Sequence, residues 1–323
     1  MLRAKYAYVK VCHLQRVGQI APPLPGACGS RSGAGILGLT LILYRLSAVF
    51  LLVTLTPILL LRLLLAPALV GLASLAGRRY GPRMAGMAAA LPIVAGPILL
   101  VLALQQGLAF AQAASADTLL GLLPLTAFCL AYAGLARLSD LRSLARWQAV
   151  AICLGLGWLL FLCIARLLLP VALPVWGCGL LGLAALLLGQ ALLPGRLDAP
   201  MNEKSLPKQA WWLELGLRMA LAGAMVLGLT GLAQALGPAW SGLLAPFPVA
   251  SSVVVAGCHF NQGPEALGQV LKGFLQAMLG FVAFLIILAF GLQGLGLAWA
   301  FGLGLAASLL VQAPLMLWRQ ARG

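Results

Sequence analysis

Charge is what this 323-residue chain has least of: charged residues make up 8% of it, and only six are acidic. A soluble domain carries about a quarter charged residues, so a water-covered globule is excluded. Histidine is nearly absent too. His13 and His259 are the only two, which leaves no histidine cluster to hold a metal. The seven cysteines (Cys12, Cys28, Cys129, Cys153, Cys163, Cys178 and Cys258) show no paired spacing and mostly lie inside apolar runs. There a cysteine acts as a small apolar residue, so neither a disulfide framework nor a metal site is expected. Catalytic constellations are missing as well. No Ser/His/Asp set lies within reach, no Gly-rich phosphate loop follows a strand, and Glu214 is the only acid read as lying well within an apolar run. The chain is therefore not expected to be an enzyme or to carry a cofactor, although a lipid-modifying activity without a known motif stays open.

What the chain does have is apolar length: 63% of its residues are hydrophobic. Runs of roughly 20 such residues recur from end to end, each long enough to cross about 30 Å of hydrocarbon as a helix. Backbone polar groups in lipid must bond within the protein, which leaves helices or closed barrels. The runs do not alternate apolar and polar residues, so helices are expected. Nine spans are read at 55–77, 84–104, 117–136, 147–165, 169–193, 211–233, 239–258, 266–290 and 294–317, with a further run at 35–53 as a tenth.

The loops orient these spans. One side collects Arg78, Arg79, Arg83, Arg137, Arg142, Arg146, Arg196, Lys204, Lys208, Lys272, Arg319 and Arg322, while the other collects Arg166 alone. The basic side is expected to be cytoplasmic, with the C-terminus on it. The net charge of +15 is thus topological, and nucleic acid is not an expected partner. A tenth span would bring the basic segment 1–34, expected to be disordered, to the same side. Alternatively, residues 1–52 stem from a misassigned start codon, because they show no periodicity.

The chain also repeats itself. "YGPRMAGMAAALPIV" (80–94) lies over "LGPAWSGLLAPFPVA" (236–250) at an offset of 156 residues, matching Gly81-Pro82 to Gly237-Pro238, Gly86 to Gly242 and Pro92 to Pro248. Without a gap, Gln106-Gly107 then falls on Gln262-Gly263, Ala127-Phe128 on Ala283-Phe284, and Arg62 on Arg218. Matches of Pro, Gln and Arg at one offset are far harder to obtain by chance than matches of Leu or Ala. The organisation expected is a first membrane repeat within 35–165, an additional span in 166–193, a linker at 194–210 and a second repeat in 211–323. An odd number of crossings separates equivalent positions, so the second copy is expected to run upside down. Inverted repeats of this kind characterise many secondary transporters.

Candidate functional residues follow from the same alignment. Pro92 and Pro248 come ten residues after the Gly-Pro pairs, a rise of about 15 Å or half the hydrocarbon. Each removes a backbone hydrogen bond, so a kink or break near the midplane is expected, with freed carbonyls, Ser251 and Ser252 lining a polar cavity or simply a packing kink. Arg62 and Arg218 are charges inside spans, where a charge is costly and faces a partner, water or protein. Arg218 can pair with Glu214 four residues earlier, while Arg62 is left for an anionic ligand or for snorkelling to the interface. "GCHFNQGPEALGQVLK" holds His259, Asn261, Gln262, Glu265 and Lys272, with Gln106 as the match to Gln262 on the other side. A gate, a proton-handling pair of His259 with Glu265, or a plain solvated turn all fit, and the plain turn is the first expectation.

The stretch "SGLLAPFPVASSVVVAGCHFNQGPEALGQVLKGFLQAMLGFVAF" resembles the small four-helix bacterial membrane proteins of the GlpM type. The shared features are Gly-Leu leading to Phe-Pro, a histidine about eleven residues on, and a Gly-punctuated following helix. The resemblance covers roughly 211–317, with a weaker echo over 55–165, where Leu91-Pro92 replaces Phe-Pro and Ala103 stands at the position of His259. It implies a bacterial inner-membrane location and no particular substrate. The expectation is thus an all-α, polytopic helical membrane protein with 9–10 transmembrane helices in two inverted repeats. Its expected partners are the lipid bilayer and a small solute or ion, with homo-oligomerisation open. A transporter or permease is the first reading, and a non-transporting assembly or regulatory protein of the envelope the alternative.

Overall fold

The computed structural model describes residues 64–72, 75, 92, 94–141, 144–193 and 208–320. Among them the secondary structure is helical, without a strand. After a short helical stretch at 64–72 come nine helices: α1 (Ala95–Gln106), α2 (Leu108–Leu120), α3 (Leu122–Leu141), α4 (Arg146–Leu168), α5 (Val175–Leu192), α6 (Lys208–Leu244), α7 (Val249–Gln262), α8 (Pro264–Leu295) and α9 (Leu297–Gln320). Among the described residues six segments are long and apolar enough to cross a membrane: Leu108–Ser139, Arg146–Leu168, Val175–Leu192, Trp212–Leu244, Ala266–Leu295 and Leu297–Pro314. This is an all-helical, multi-pass membrane protein. The expected spans 35–53 and 55–77 fall largely outside the described residues.

Proline and glycine set most of the boundaries. Pro124 has no N–H to offer the Leu120 carbonyl, and the chain between α2 and α3 is bridged instead by Gly121 N–H to Asp117 O at 3.0 Å and Leu125 N–H to Gly121 O at 3.3 Å. The two helices therefore run on as one span. Pro170 and Pro174 keep the chain between α4 and α5 out of a helix, so the fifth span starts at Val175 rather than at 169. Four glycines share one backbone state: Gly107 (φ 92, ψ 165), Gly237 (φ 72, ψ 174), Gly263 (φ 85, ψ −176) and Gly296 (φ 80, ψ 169). That region is essentially closed to residues with a Cβ, and each of the four ends one helical segment and starts the next.

Two spans are central, Leu108–Ser139 and Ala266–Leu295, each mostly buried, whereas α4, α5 and α9 turn most of their surface outward. The core is carried by Phe128, Tyr132, Phe161 and Phe284 with Ile98, Leu99 and Leu102, all fully buried. The outward faces are Leu-rich, as lipid-facing helices must be. Trp147, Trp176, Trp212 and Trp299 are all exposed, each in the first turn of its described helix or membrane span, a placement that suits indole rings at the headgroup level.

Helix α5 serves as a ruler for direction. A Cβ built on Gly179 would lie 3.9 Å from Leu119 Cδ1 and 3.7 Å from Ile286 Cδ1. One built on Gly189 would meet Thr126 Cγ2 at 2.5 Å and Leu275 Cδ1 at 2.8 Å. Along α5, then, the first central span advances from 119 to 126 while α8 runs back from 286 to 275. The two central spans are antiparallel.

Candidate functional site

The broken stretch that follows Gly237-Pro238 crosses the bundle in pieces. Residues up to Leu244 are helical, Ala245–Pro248 are not, and α7 resumes at Val249. The first piece packs on α2: a Cβ on Gly242 would overlap the Ala114 carbonyl and come within 2.7 Å of Asp117 Cβ. The break itself sits on Gly121, whose Cβ would be 2.7 Å from Pro246 Cγ. Below it, Phe247 packs edge-on against Phe161, with centroids 4.9 Å apart, and tilted against Trp158 at 5.8 Å. Farther down, His259 meets Tyr132 of α3, and Phe260 meets Arg146 at the start of α4. This span therefore reaches the basic side only at the end of α7. The span read at 239–258 is broken at Pro248, where a break was expected, and Pro246 extends it: Ala245–Pro248 are non-helical.

Pro92 and Pro248 are both buried and both stand just ahead of a short helix. The Pro92 carbonyl accepts from Gly96 N–H at 2.8 Å, and the Pro248 carbonyl from Ser252 N–H at 2.9 Å. Each helix then ends at a glycine of positive φ, Gly107 or Gly263, eleven residues past that N–H donor. Those glycine carbonyls start the central spans by accepting from Ala111 N–H at 3.2 Å and Leu267 N–H at 3.3 Å. All of these positions correspond at the offset of 156 residues.

The carbonyls freed by Pro248 do not stand open. Phe247 O accepts from Val249 N–H at 2.8 Å, and Leu244 O from Phe247 N–H at 2.9 Å. The Ser252 hydroxyl donates to Pro248 O and accepts from the Trp158 indole N–H at 3.0 Å. Ser252 is thus already engaged and fully enclosed, while Ser251 is half-buried. The reason is local: a serine four residues after a proline carbonyl reaches back to it, as Ser and Thr do within helices. The break is filled by aromatic rings rather than open as a polar cavity at Ser252.

The expected solvated turn at His259 is not one. Residues 249–262 are helix up to Gly263, and His259 is only 8% exposed. Its Nδ1 lies 3.3 Å from the Tyr132 hydroxyl, with the rings edge-to-face at 5.7 Å. A buried imidazole needs a polar partner, and α3 provides it. Next to it the Arg146 guanidinium donates to Phe260 O at 3.3 Å, and the Asn261 amide to Gly257 O at 2.8 Å. Glu214 approaches Gly257 from α6 and is ion-paired with Arg218 on its own helix. Arg218 is thereby held as a structural pair at the basic end of α6. Lys272 donates to Leu193 O at 3.4 Å, capping the end of α5.

Gln106 is half-buried at the end of α1, on the opposite side from the His259 cluster. Gln262 closes α7, but its side chain, like that of Glu265, lies outside the described residues, as does Arg62. The candidate residues therefore divide: Pro248, Ser252 and His259 line one face of the broken span, whereas Pro92, Gln106 and Arg218 stand elsewhere. Residue patterning did not point to Trp158, Tyr132 and Phe161, which complete that face. A tryptophan and a tyrosine in mid-span were the available signal, since a buried N–H or O–H needs a partner. It also missed Asp117, placed at the start of a span. The helix in fact begins at Leu108, because "LAFAQAASAD" is helical despite its polar residues. A second buried polar group joins α8 to α9: the Gln312 amide donates to Ala277 O at 2.5 Å.

Among the described residues no group of three His, Cys, Asp or Glu could hold a metal, and Cys129, Cys153, Cys163, Cys178 and Cys258 form no disulfide. No known family model, curated protein or solved structure matches this chain.

Proposed function

We propose that this chain is a transporter or permease of a bacterial inner membrane, with its basic side and C-terminus cytoplasmic. In this reading it is built from two copies of one unit inserted in opposite senses, with a midplane site for a small solute or ion between the two proline-broken spans. The observation that carries the reading is the matched pair of breaks. Pro92 and Pro248 each accept from the N–H four residues on, and each short helix ends at a positive-φ glycine. Each then feeds a central span, and those spans run antiparallel. Paired half-helices of opposite direction in mid-membrane are the usual frame of such sites.

One observation favours the alternative, a non-transporting assembly or regulatory protein of the envelope. The break at Pro248 is packed with Phe247, Trp158 and Phe161, and Ser252 is occupied by its neighbours. Reconstitution in liposomes separates the two readings. A transporter passes at least one solute or ion of a broad panel, and a bulky replacement at the break, Ser252→Trp, abolishes that flux. Impermeable liposomes across the panel, from protein whose fold is intact, would favour the alternative.

A further inference from the structure

We propose that α7 is a movable half-helix, latched shut on the basic side by three bonds from α3 and α4, and that among the described residues no such latch holds its counterpart α1. The inference rests on the transporter reading for its purpose, but not for its test.

Its pivots come first. At one end, α7 is preceded by the non-helical Ala245–Pro248, with Pro248 at φ −80 and ψ 46; at the other it stops at Gly263, φ 85 and ψ −176. A 14-residue helix between two non-helical joints can rotate as a rod, because the backbone change is absorbed at a few residues. Along its length three side-chain bonds hold it to the neighbouring helices. Near the break the Trp158 indole binds Ser252 Oγ at 3.0 Å; two turns on, Tyr132 binds His259 at 3.3 Å; in the last turn, Arg146 binds Phe260 O at 3.3 Å. All three donors or partners belong to the α3–α4 hairpin, so the latch has one fixed side and one movable side.

The same segment of the first copy, α1, lies between Pro92 and Gly107, the positions that match Pro248 and Gly263. At the positions matching Ser252, His259 and Phe260 it has Gly96, Ala103 and Leu104. Glycine and alanine at the first two offer no polar side chain. The sequence difference between the copies is thus a difference in fastening, and the resting conformation is the one closed on the basic side.

Cys258 reports on this directly. It is buried within α7 beside His259, with 8% exposure, while Cys178 of α5 is buried at 1% outside the latched region and serves as the control. The test is N-ethylmaleimide modification of the full chain in membranes, with no solute added, resolved by site with mass spectrometry. Tyr132→Phe, which removes one hydroxyl, should raise the Cys258 rate by roughly five-fold, the shift expected for one lost hydrogen bond. Arg146→Gln, at an exposed side chain, should do the same, and Arg146→Lys should restore slow reaction. Cys178 should not change in any of them. Unchanged Cys258 rates in both variants, or Cys178 rates rising in parallel, would overturn the latch. Because no solute is involved, failure here leaves the transporter reading standing, and failed flux with latched Cys258 behaviour leaves the latch standing.

Discussion

The indole N–H of Trp158 donates to the hydroxyl of Ser252 across 3.0 Å, ninety-four residues away in sequence and one turn past the proline break. The same hydroxyl donates to the Pro248 carbonyl, so one serine joins the resumed helix both to its own first turn and to α4. Ser252→Ala should therefore leave the indole N–H of the half-buried Trp158 without this partner, which costs about 1–3 kcal/mol. Trp158→Phe removes the donor together with the need for it, and should cost less through this bond although it also trims packing. Unfolding titrations in detergent of the two single variants and the double variant check this. The coupling between them should be about 1 kcal/mol, and strict additivity would mean that the bond contributes nothing.

Glycines of α4, α5 and α6 divide into two kinds. Gly182 and Gly242 have no room for a side chain: a Cβ on Gly182 would be 2.6 Å from Leu119 O, and one on Gly242 would strike the Ala114 carbonyl. Alanine at either should destabilise by about 1–3 kcal/mol, as overpacking does. Gly155 and Gly228 are exposed with nothing within 4 Å. Alanine there should be neutral or stabilising by about 0.5–1 kcal/mol, since a mid-helix glycine is costly in itself. Thermal denaturation of the four variants in one detergent gives the ordering, and equal losses at all four would contradict the packing described.

Gly107 and Gly263 make a sharper pair. Each has open space around the place of a Cβ, so a substitution there meets no neighbour and feels only the backbone. With ψ near 180°, both lie outside the left-handed helical region that asparagine tolerates. Alanine and asparagine should thus cost similar amounts, about 1–3 kcal/mol, at either position. Stability measured for the four variants should show equal losses at the two sites. A loss at Gly263 with none at Gly107 would argue that the two joints are not equivalent.

Much of this frame was legible in the residues because proline and glycine have chemical effects that context rarely overrides. Pro248 breaks its helix wherever it stands in a span, and Pro170 with Pro174 holds the α4–α5 connection open. Helix ends were misplaced where polar residues continue a helix, as in Leu108–Ala116; composition marks the edge of the apolar layer, not the end of the hydrogen-bonded backbone. The cross-helix bonds were not legible at all. Tyr132 and His259 are 127 residues apart, and nothing local distinguishes a histidine destined for burial from one at a wet turn. Arg218 was the reverse case: four-residue spacing from Glu214 is itself the geometry of a helical pair.

Two buried glutamines on facing helices should behave in opposite ways. Gln312 donates to Ala277 O at 2.5 Å and to Gln276 O at 3.4 Å, whereas the side-chain oxygen of Gln276 is buried without a partner. Gln312→Leu removes interhelical bonds and should cost about 0.6 kcal/mol, up to roughly 1.7, the range for such bonds in membranes. Gln276→Leu removes an unsatisfied acceptor and should be neutral or stabilising. Unfolding midpoints of the two variants check the sign, and a stability loss at Gln276 as large as that at Gln312 would mean its oxygen is bonded after all.

The proposed opposition of the two copies admits a test that needs no substrate. Ala235 is exposed in α6 just before the kink at Gly237-Pro238, and the turn read from the sequence at the matching place of the first copy holds Arg79 before Gly81-Pro82. If the copies are inverted, these two turns face opposite sides of the membrane. Single cysteines placed at Ala235 and at Arg79 should then react with a membrane-impermeant maleimide from opposite faces of oriented vesicles. The Arg79→Cys residue should react from the side that carries Arg146 and Lys272, because positive charge is retained on the cytoplasmic face. Reaction of both from one face would require the two units to be parallel. The charge difference between "GRRYGPR" and "AQALGPAW" would then have nothing to do with topology. The antiparallel course of the central spans along α5 argues for opposite faces, since the two Gly-Pro pairs stand at matching distances ahead of those two helices in the sequence.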